Sequence, residues 1–156
     1  MNTVIFACVH NAGRSQMAAA WFNALADPSQ ATAVSAGTQP GDRVHPVVVE
    51  VMREADIDLS GNRPQRLTDE LARTASLLIT MGCGDECPFV PGLQTDDWPL
   101  ADPKGRPMLH SVYYEGRYDR AEVAAVAAKV EPCVRHLHDS PVWDRLGELT
   151  YLYSRK

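Results

Sequence analysis

Apolar residues along this chain come in short unbroken runs that alternate with stretches of three-to-four-residue spacing. The run Val4-Ile5-Phe6-Ala7 within residues 2–7 is β-branched and aromatic and reads as a buried strand. Polar and glycine-bearing residues follow it, and residues 15–26 then have helical composition. Residues 32–36 predict a second strand and 37–41 a turn. Residues 46–55 predict a helix with Val47, Val48, Val51 and Met52 on one face. Thr68 reads as the N-cap of a short helix to residue 73 with acidic residues in its first turn, before a third buried strand at 76–81. Residues 82–92 mix glycine, proline and acidic side chains, as a loop or a short, weak helix does, and 95–100 predict a fourth strand. The alanine-rich stretch 120–138 predicts a helix that Pro132 should kink or break. Strands alternating with helices imply an α/β fold: a central, mainly parallel sheet of about four strands with helices on both faces, a three-layer sandwich.

With 156 residues, 45% of them hydrophobic and 22% charged, the chain suits one domain spanning residues 1–156, although residues 141–156 carry no assignable pattern. A net charge of -5 argues against nucleic acid or an anionic membrane as the main partner, because either would call for a basic face. No apolar run approaches the ~20 residues of a membrane span, and the first is too short for a signal-peptide core. The expected location is therefore the cytoplasm, where the four cysteines Cys8, Cys83, Cys87 and Cys133 are not a secreted disulfide framework. Cys133 is expected to be an inert small hydrophobe.

The segment Cys8-Val9-His10-Asn11-Ala12-Gly13-Arg14-Ser15 lies directly between the first strand and the first helix. At such a junction several backbone N–H groups and the helix dipole face an incoming anion. Val9, His10, Asn11, Ala12, Gly13, Arg14 and Ser15 are thus candidate oxyanion-binding residues. Arg14, six residues after Cys8, brings a planar fork that matches two oxygens of a tetrahedral oxyanion. Donors that hold an anion also hold a thiolate, so Cys8 is expected to titrate well below the ~8.5 of free cysteine and to act as a nucleophile. Ser15 can hydrogen-bond its sulfur, Asn11 can adopt the left-handed backbone a tight loop requires, and His10 is expected at the rim.

This loop, followed by Gln16-Met17-Ala18, resembles the active-site loop of thiol-dependent arsenate reductases of the low-molecular-weight tyrosine phosphatase superfamily. The resemblance extends from about residue 2 to 105 and includes Ser35-Ala36-Gly37-Thr38, residues 80–88, Asp97-Trp98 and Asp102-Pro103. It implies a low-molecular-weight phosphatase-like fold, an arsenate or phosphate-like oxyanion as substrate, and no tightly bound cofactor. Asp102 matches the general acid of the phosphatases, but Lys104-Gly105 stands where they carry tyrosines that line a phosphotyrosine slot. Gly13 and Gln16 replace the second loop cysteine and the proline typical of those phosphatases, which favours the reductase.

In the reductase reading Cys8 attacks arsenate, Cys83 attacks Cys8, and Cys87 takes over the bond for an external thiol reductant such as thioredoxin. Gly82 and Gly84 flank Cys83 and loosen that backbone. If the segment were helical, residues four apart would be too distant for a disulfide, so it would have to unwind. The three-residue gap between Cys83 and Cys87 is shorter than in thioredoxin-coupled relatives, which leaves open an arsenate–mycothiol transferase that needs only Cys8 and mycoredoxin. A tyrosine phosphatase and a non-catalytic oxyanion sensor are the remaining readings. Cys83, Cys87, Cys133, His136 and His138 include zinc-type ligands, but two histidines two apart on a helix share no face, and no metal is expected. Ala19 stands where some thioredoxin-linked relatives have an acidic residue that helps bind a monovalent cation, so none is expected here either.

Overall fold

A computed structural model describes residues 1–82, 87–98 and 120–139. Its elements follow the order β1 (Asn2–Cys8), α1 (Arg14–Leu25), β2 (Ala31–Gly37), α2 (Pro46–Arg53), α3 (Asp69–Arg73), β3 (Leu77–Thr80), β4 (Gln94–Asp97) and α4 (Arg120–His138). The four strands form one parallel sheet in the order β2-β1-β3-β4. β1 is interior, and Val4, Ile5, Phe6 and Ala7 are fully buried, as a strand covered on both faces requires. β4, an edge strand, is polar and mostly exposed.

Alternation along the strands sorts the core into two layers. Val4, Phe6 and Ile79 pack with Met17 and Phe22 of α1, Val48 and Met52 of α2, and the α4 stripe Val123, Val126, Val130 and Val134. Phe6 meets the rings of Phe22 and Trp98 at centroid distances of 6.1 and 5.6 Å. Ile5, Ala7 and Leu78 face the other way, onto Leu67 and Ala72 of the α3 region. The three-layer α/β arrangement expected from the sequence is the one observed.

Two expectations differ. Pro132 does not break α4, which runs continuously through it. Val126, Val130 and Val134 stay buried on both sides of the proline, so packing of that stripe against α1 and α2 outweighs the missing N–H and the clash with the preceding turn. β4 occupies 94–97 rather than 95–100 because its pairing, from Leu77↔Gln94 to Thr80↔Asp97, spans the four residues of β3; residues 99–100 lie outside the described residues.

The chain leaves β1 for β2 on one side and returns to β3 on the other. The carboxyl end of β1 is therefore the topological switch point where such sheets open a crevice for ligands. Cys8 ends β1, opposite Gly37, and Ala7 pairs Thr80.

Phe22→Ala is expected to cost about 3–5 kcal/mol by emptying the layer between sheet and helices. Arg120→Ala should cost less than about 1 kcal/mol, because the Arg120 pairs with Glu50 and Glu54 are exposed. Urea denaturation at fixed pH measures both; equal losses would contradict the assignment of stability to the buried layer.

Candidate functional site: the loop at the end of β1

The first helix begins without a conventional cap. Gly13 at the N-cap position supplies no side-chain hydrogen bond and the first turn of α1 holds no acidic residue, whereas α3 is capped by Thr68, whose hydroxyl accepts from Leu71 N–H at 3.1 Å. An uncapped N-terminus keeps its amides for something other than its own side chains.

The loop's carbonyls are all engaged. Cys8 O accepts from Thr38 N–H, Val9 O from Gln39 N–H, His10 O from Gly41 N–H, Ala12 O from His45 N–H and Gly13 O from Met17 N–H, at 2.8–3.2 Å. Asn11 O accepts from Gln16 Nε2 at 3.1 Å. In a trans peptide the following N–H points opposite the carbonyl, and every described peptide bond is trans. The amides of Val9, His10, Asn11, Ala12, Gly13 and Arg14 therefore turn away from these partners. The Asn11 amide turns onto the Cys8 sulfur, at 3.3 Å.

Tight backbone passage makes this possible. Asn11 takes the left-handed conformation, with φ at 51°. Gly37 runs so close beneath the loop that a Cβ there would stand 2.6 Å from Val9 O. On the opposite side Gly82, at φ +79°, lies where a Cβ would be 2.9 Å from Arg14 Nη1, so a side chain would displace the guanidinium.

Cys8 is a free thiol, 2% exposed, and Arg14 is 5% exposed. Cys8 Sγ lies 3.0 Å from Ser15 Oγ, and Ser15 Oγ accepts from Asn11 Nδ2 at 2.7 Å. The Ser15 hydroxyl therefore has its own proton for the sulfur. Two donors thus converge on one sulfur at the N-terminal end of α1. His10 is half-buried at the rim, with Nδ1 3.1 Å from Gln39 O.

The other candidates are more scattered. Cys83 and Asp102 lie outside the described residues. Cys87 is disulfide-bonded and packs, half-buried, on the α3 face of the sheet. Cys133 is free and half-buried, and it lines an open cavity of about 880 Å³ with Pro132, His136 and Leu137 of α4 and Leu93 to Asp96 around β4. It stands on the half of α4 beside the edge strand, where no further strand covers it among the described residues. His136 is exposed, and no group of three or more His, Cys, Asp or Glu among the described residues is arranged to hold a metal ion. No helix among them is long and apolar enough to cross a membrane.

Gln16, Asn62, Gln65 and His45 also shape the site; sequence reasoning used Gln16 only as a departure from the phosphatase pattern and did not name the other three. Their partners lie up to 54 residues away. The only local signal is an amide residue in the first turn of a helix that follows an anion loop.

A three-layer sheet whose central strand runs through a cysteine-to-arginine loop into an uncapped helix defines the low-molecular-weight phosphatase class. The chain belongs to the low molecular weight phosphotyrosine protein phosphatase family, whose sequence model matches residues 3–143. It is 36% identical over 107 residues to a putative arsenate reductase of Halobacterium salinarum, an overlap of 66% of this chain and 75% of that protein. Among solved structures it is similar to a Corynebacterium glutamicum thioredoxin-dependent arsenate reductase, with 33% identity and a TM-score of 0.71. That overlap covers 94% of this chain but spans only 62% of the Corynebacterium chain. An arsenate reductase in the phosphate binding state superposes with a TM-score of 0.69 and 28% identity over 88% of this chain and 96% of that one.

His45 ties the loop to α2: its backbone N–H bonds Ala12 O, and its ring Nδ1 accepts from Val47 N–H at 3.3 Å as the helix cap. Burial, and secondarily the charge of Arg43, lower its pKa below 6.5. A base whose folded pKa is depressed contributes stability that is complete above the unfolded value and is lost as pH falls through the folded one. The urea midpoint is expected to fall between pH 7 and pH 5.5. His45→Asn, which keeps a cap acceptor without the titration, should flatten that step; an unchanged step would assign it to another group.

Proposed function

We propose that this protein is a cytoplasmic arsenate reductase in which Cys8 is the nucleophile. The observation that carries the reading is the Cys8 sulfur, buried at the uncapped start of α1 and hydrogen-bonded by Asn11 N–H and the Ser15 hydroxyl, beside a buried arginine. The arsenate reductases among its relatives support the choice of substrate. In this reading the amides of residues 9–15 and the Arg14 guanidinium hold three arsenate oxygens while the thiolate displaces the fourth as water, giving a Cys8–arsenic bond.

Cys83 then attacks the Cys8 sulfur. The S–As bond breaks, its electron pair stays on arsenic, arsenite leaves, and the two thiols are left as a disulfide. Cys87 attacks Cys83, frees Cys8 and carries the disulfide outward. No tightly bound cofactor takes part; the electrons come from an external thiol, with thioredoxin as the first candidate partner. The disulfide at Cys87, while Cys8 stays free, supports this order. Asp102 would serve as proton donor to the leaving oxygen. A second reading, protein tyrosine phosphatase, is favoured by membership of the phosphatase family itself.

Cys8→Ser is expected to reduce arsenate reduction to background, because an alcohol is a far weaker nucleophile at neutral pH. Arg14→Lys should weaken protection of Cys8 by phosphate at least about tenfold, since an ammonium cannot span two oxygens. A coupled assay with thioredoxin and thioredoxin reductase reads the first, and alkylation with phosphate present reads the second. Efficient turnover of a phosphotyrosine peptide without arsenate reduction would establish the phosphatase instead.

The relay makes a separate prediction. Cys87→Ser should stop after one turnover with a Cys8–Cys83 disulfide, visible by mass spectrometry of the unreduced protein, while Cys83→Ser should leave Cys8 to be resolved only by small thiols. Full multiple turnover of both variants with thioredoxin would exclude the relay. Full activity of both with mycothiol and mycoredoxin, with the wild type inactive on thioredoxin, would establish the transferase.

A further inference from the structure

Gln16 has no part in the chemistry just described, yet it is 1% exposed and committed to the loop. Its Nε2 faces Asn11 Oδ1 at 3.2 Å, Asn11 O at 3.1 Å and Arg63 O at 3.4 Å, while its Oε1 accepts from Asn62 Nδ2 at 3.1 Å. We infer that Gln16 is a positioning residue that sets the direction of a hydrogen-bond chain ending on the Cys8 sulfur. This inference rests on the reading of Cys8 as a thiolate nucleophile.

An asparagine amide presents an acceptor on one side and a donor on the other, and its neighbours decide which way round it sits. Asn11 Oδ1 receives two donors, Gln16 Nε2 and the Gln65 backbone N–H at 2.9 Å. The reversed amide would put its NH₂ against both, donor against donor. Oδ1 is therefore held on that side, and Nδ2 must donate to Ser15 Oγ, as observed at 2.7 Å. Ser15, already accepting, directs its single proton to Cys8 Sγ.

In the reversed arrangement the Ser15 proton would go to Asn11 Oδ1, and the sulfur would lose a donor that favours its charged form. The orientation of Gln16 is itself fixed: the Asn11 and Arg63 backbone carbonyls can only accept, which holds Nε2 on their side and leaves Oε1 for Asn62 Nδ2. Gln16 does not touch the sulfur, and it meets the loop at Asn11, through Oδ1 and the backbone carbonyl. It acts through Asn11 and Ser15.

The test is the pH dependence of Cys8 alkylation by iodoacetamide in fully reduced protein, resolved to the Cys8 peptide by mass spectrometry. Wild type, Gln16→Met, Ser15→Ala and the double variant are compared. The wild-type midpoint is expected well below ~8.5. Ser15→Ala should raise it by about one unit, and Gln16→Met by about half a unit or more. The double variant should match Ser15→Ala alone, because the path from Gln16 is already cut.

A Gln16→Met protein with a lowered Tm and an unmoved midpoint would make Gln16 a structural tether and overturn the inference alone. Shifts that add in the double variant would do the same, since Gln16 would then act by another route. A wild-type midpoint near ~8.5 would instead remove the thiolate reading and take this inference with it. Should Gln16→Met fail to fold, Gln16→Leu, an apolar side chain of similar volume and different shape, removes the same donor to Asn11. It should raise the midpoint in the same direction as Gln16→Met, and no shift would again overturn the inference.

Discussion

Six successive carbonyls, from Cys8 to Gly13, must be hydrogen-bonded for the loop after β1 to hold its shape. Five of them use backbone N–H donors, four supplied by the wall between Thr38 and His45 and one by α1; the sixth uses the Gln16 side chain. A trans peptide cannot turn its carbonyl one way without turning the next amide the other. The wall therefore acts on the side of the loop it does not touch, by deciding where the amides point. The closeness of the wall is in turn set by Gly37, where even a methyl group would collide with Val9 O.

The sheet places that loop as firmly as the wall shapes it. β1 lies between β2 and β3, and its inner residues belong alternately to the two core layers, so the strand cannot shift by one residue without exchanging faces. Cys8 consequently ends β1 at a fixed height opposite Gly37, while Met81 N–H bonds Ala7 O at 2.7 Å and carries Gly82 up to Arg14. The cysteine, the arginine and the exit from β3 meet at one end of the sheet because three parallel strands terminate there together.

Fold alone does not choose between phosphate ester hydrolysis and arsenate reduction, since both chemistries use an oxyanion cradle with a nucleophilic thiol. The two reactions diverge only after the thiol has attacked: hydrolysis needs a proton donor and water, reduction a second thiol. Those requirements fall on groups that act on the intermediate rather than on the cradle that forms it. For the same reason the buried polar network under the loop serves either reaction.

The sequence by itself determined the strand-loop-helix at residues 2–25, the cysteine-to-arginine spacing, the parallel α/β layering and the cap at Thr68. Each is a local property: a run of β-branched residues, a polar junction, a hydroxyl three residues before the N–H it accepts. Tertiary structure decided that α4 continues through Pro132, that His45 caps α2, and that Gln16, Asn62 and Gln65 converge on Asn11. Those outcomes depend on contacts between distant residues, and on packing energies that outweigh local preference. A helix breaker such as Pro132 is read correctly only once the valine stripe on either side of it has something to pack against.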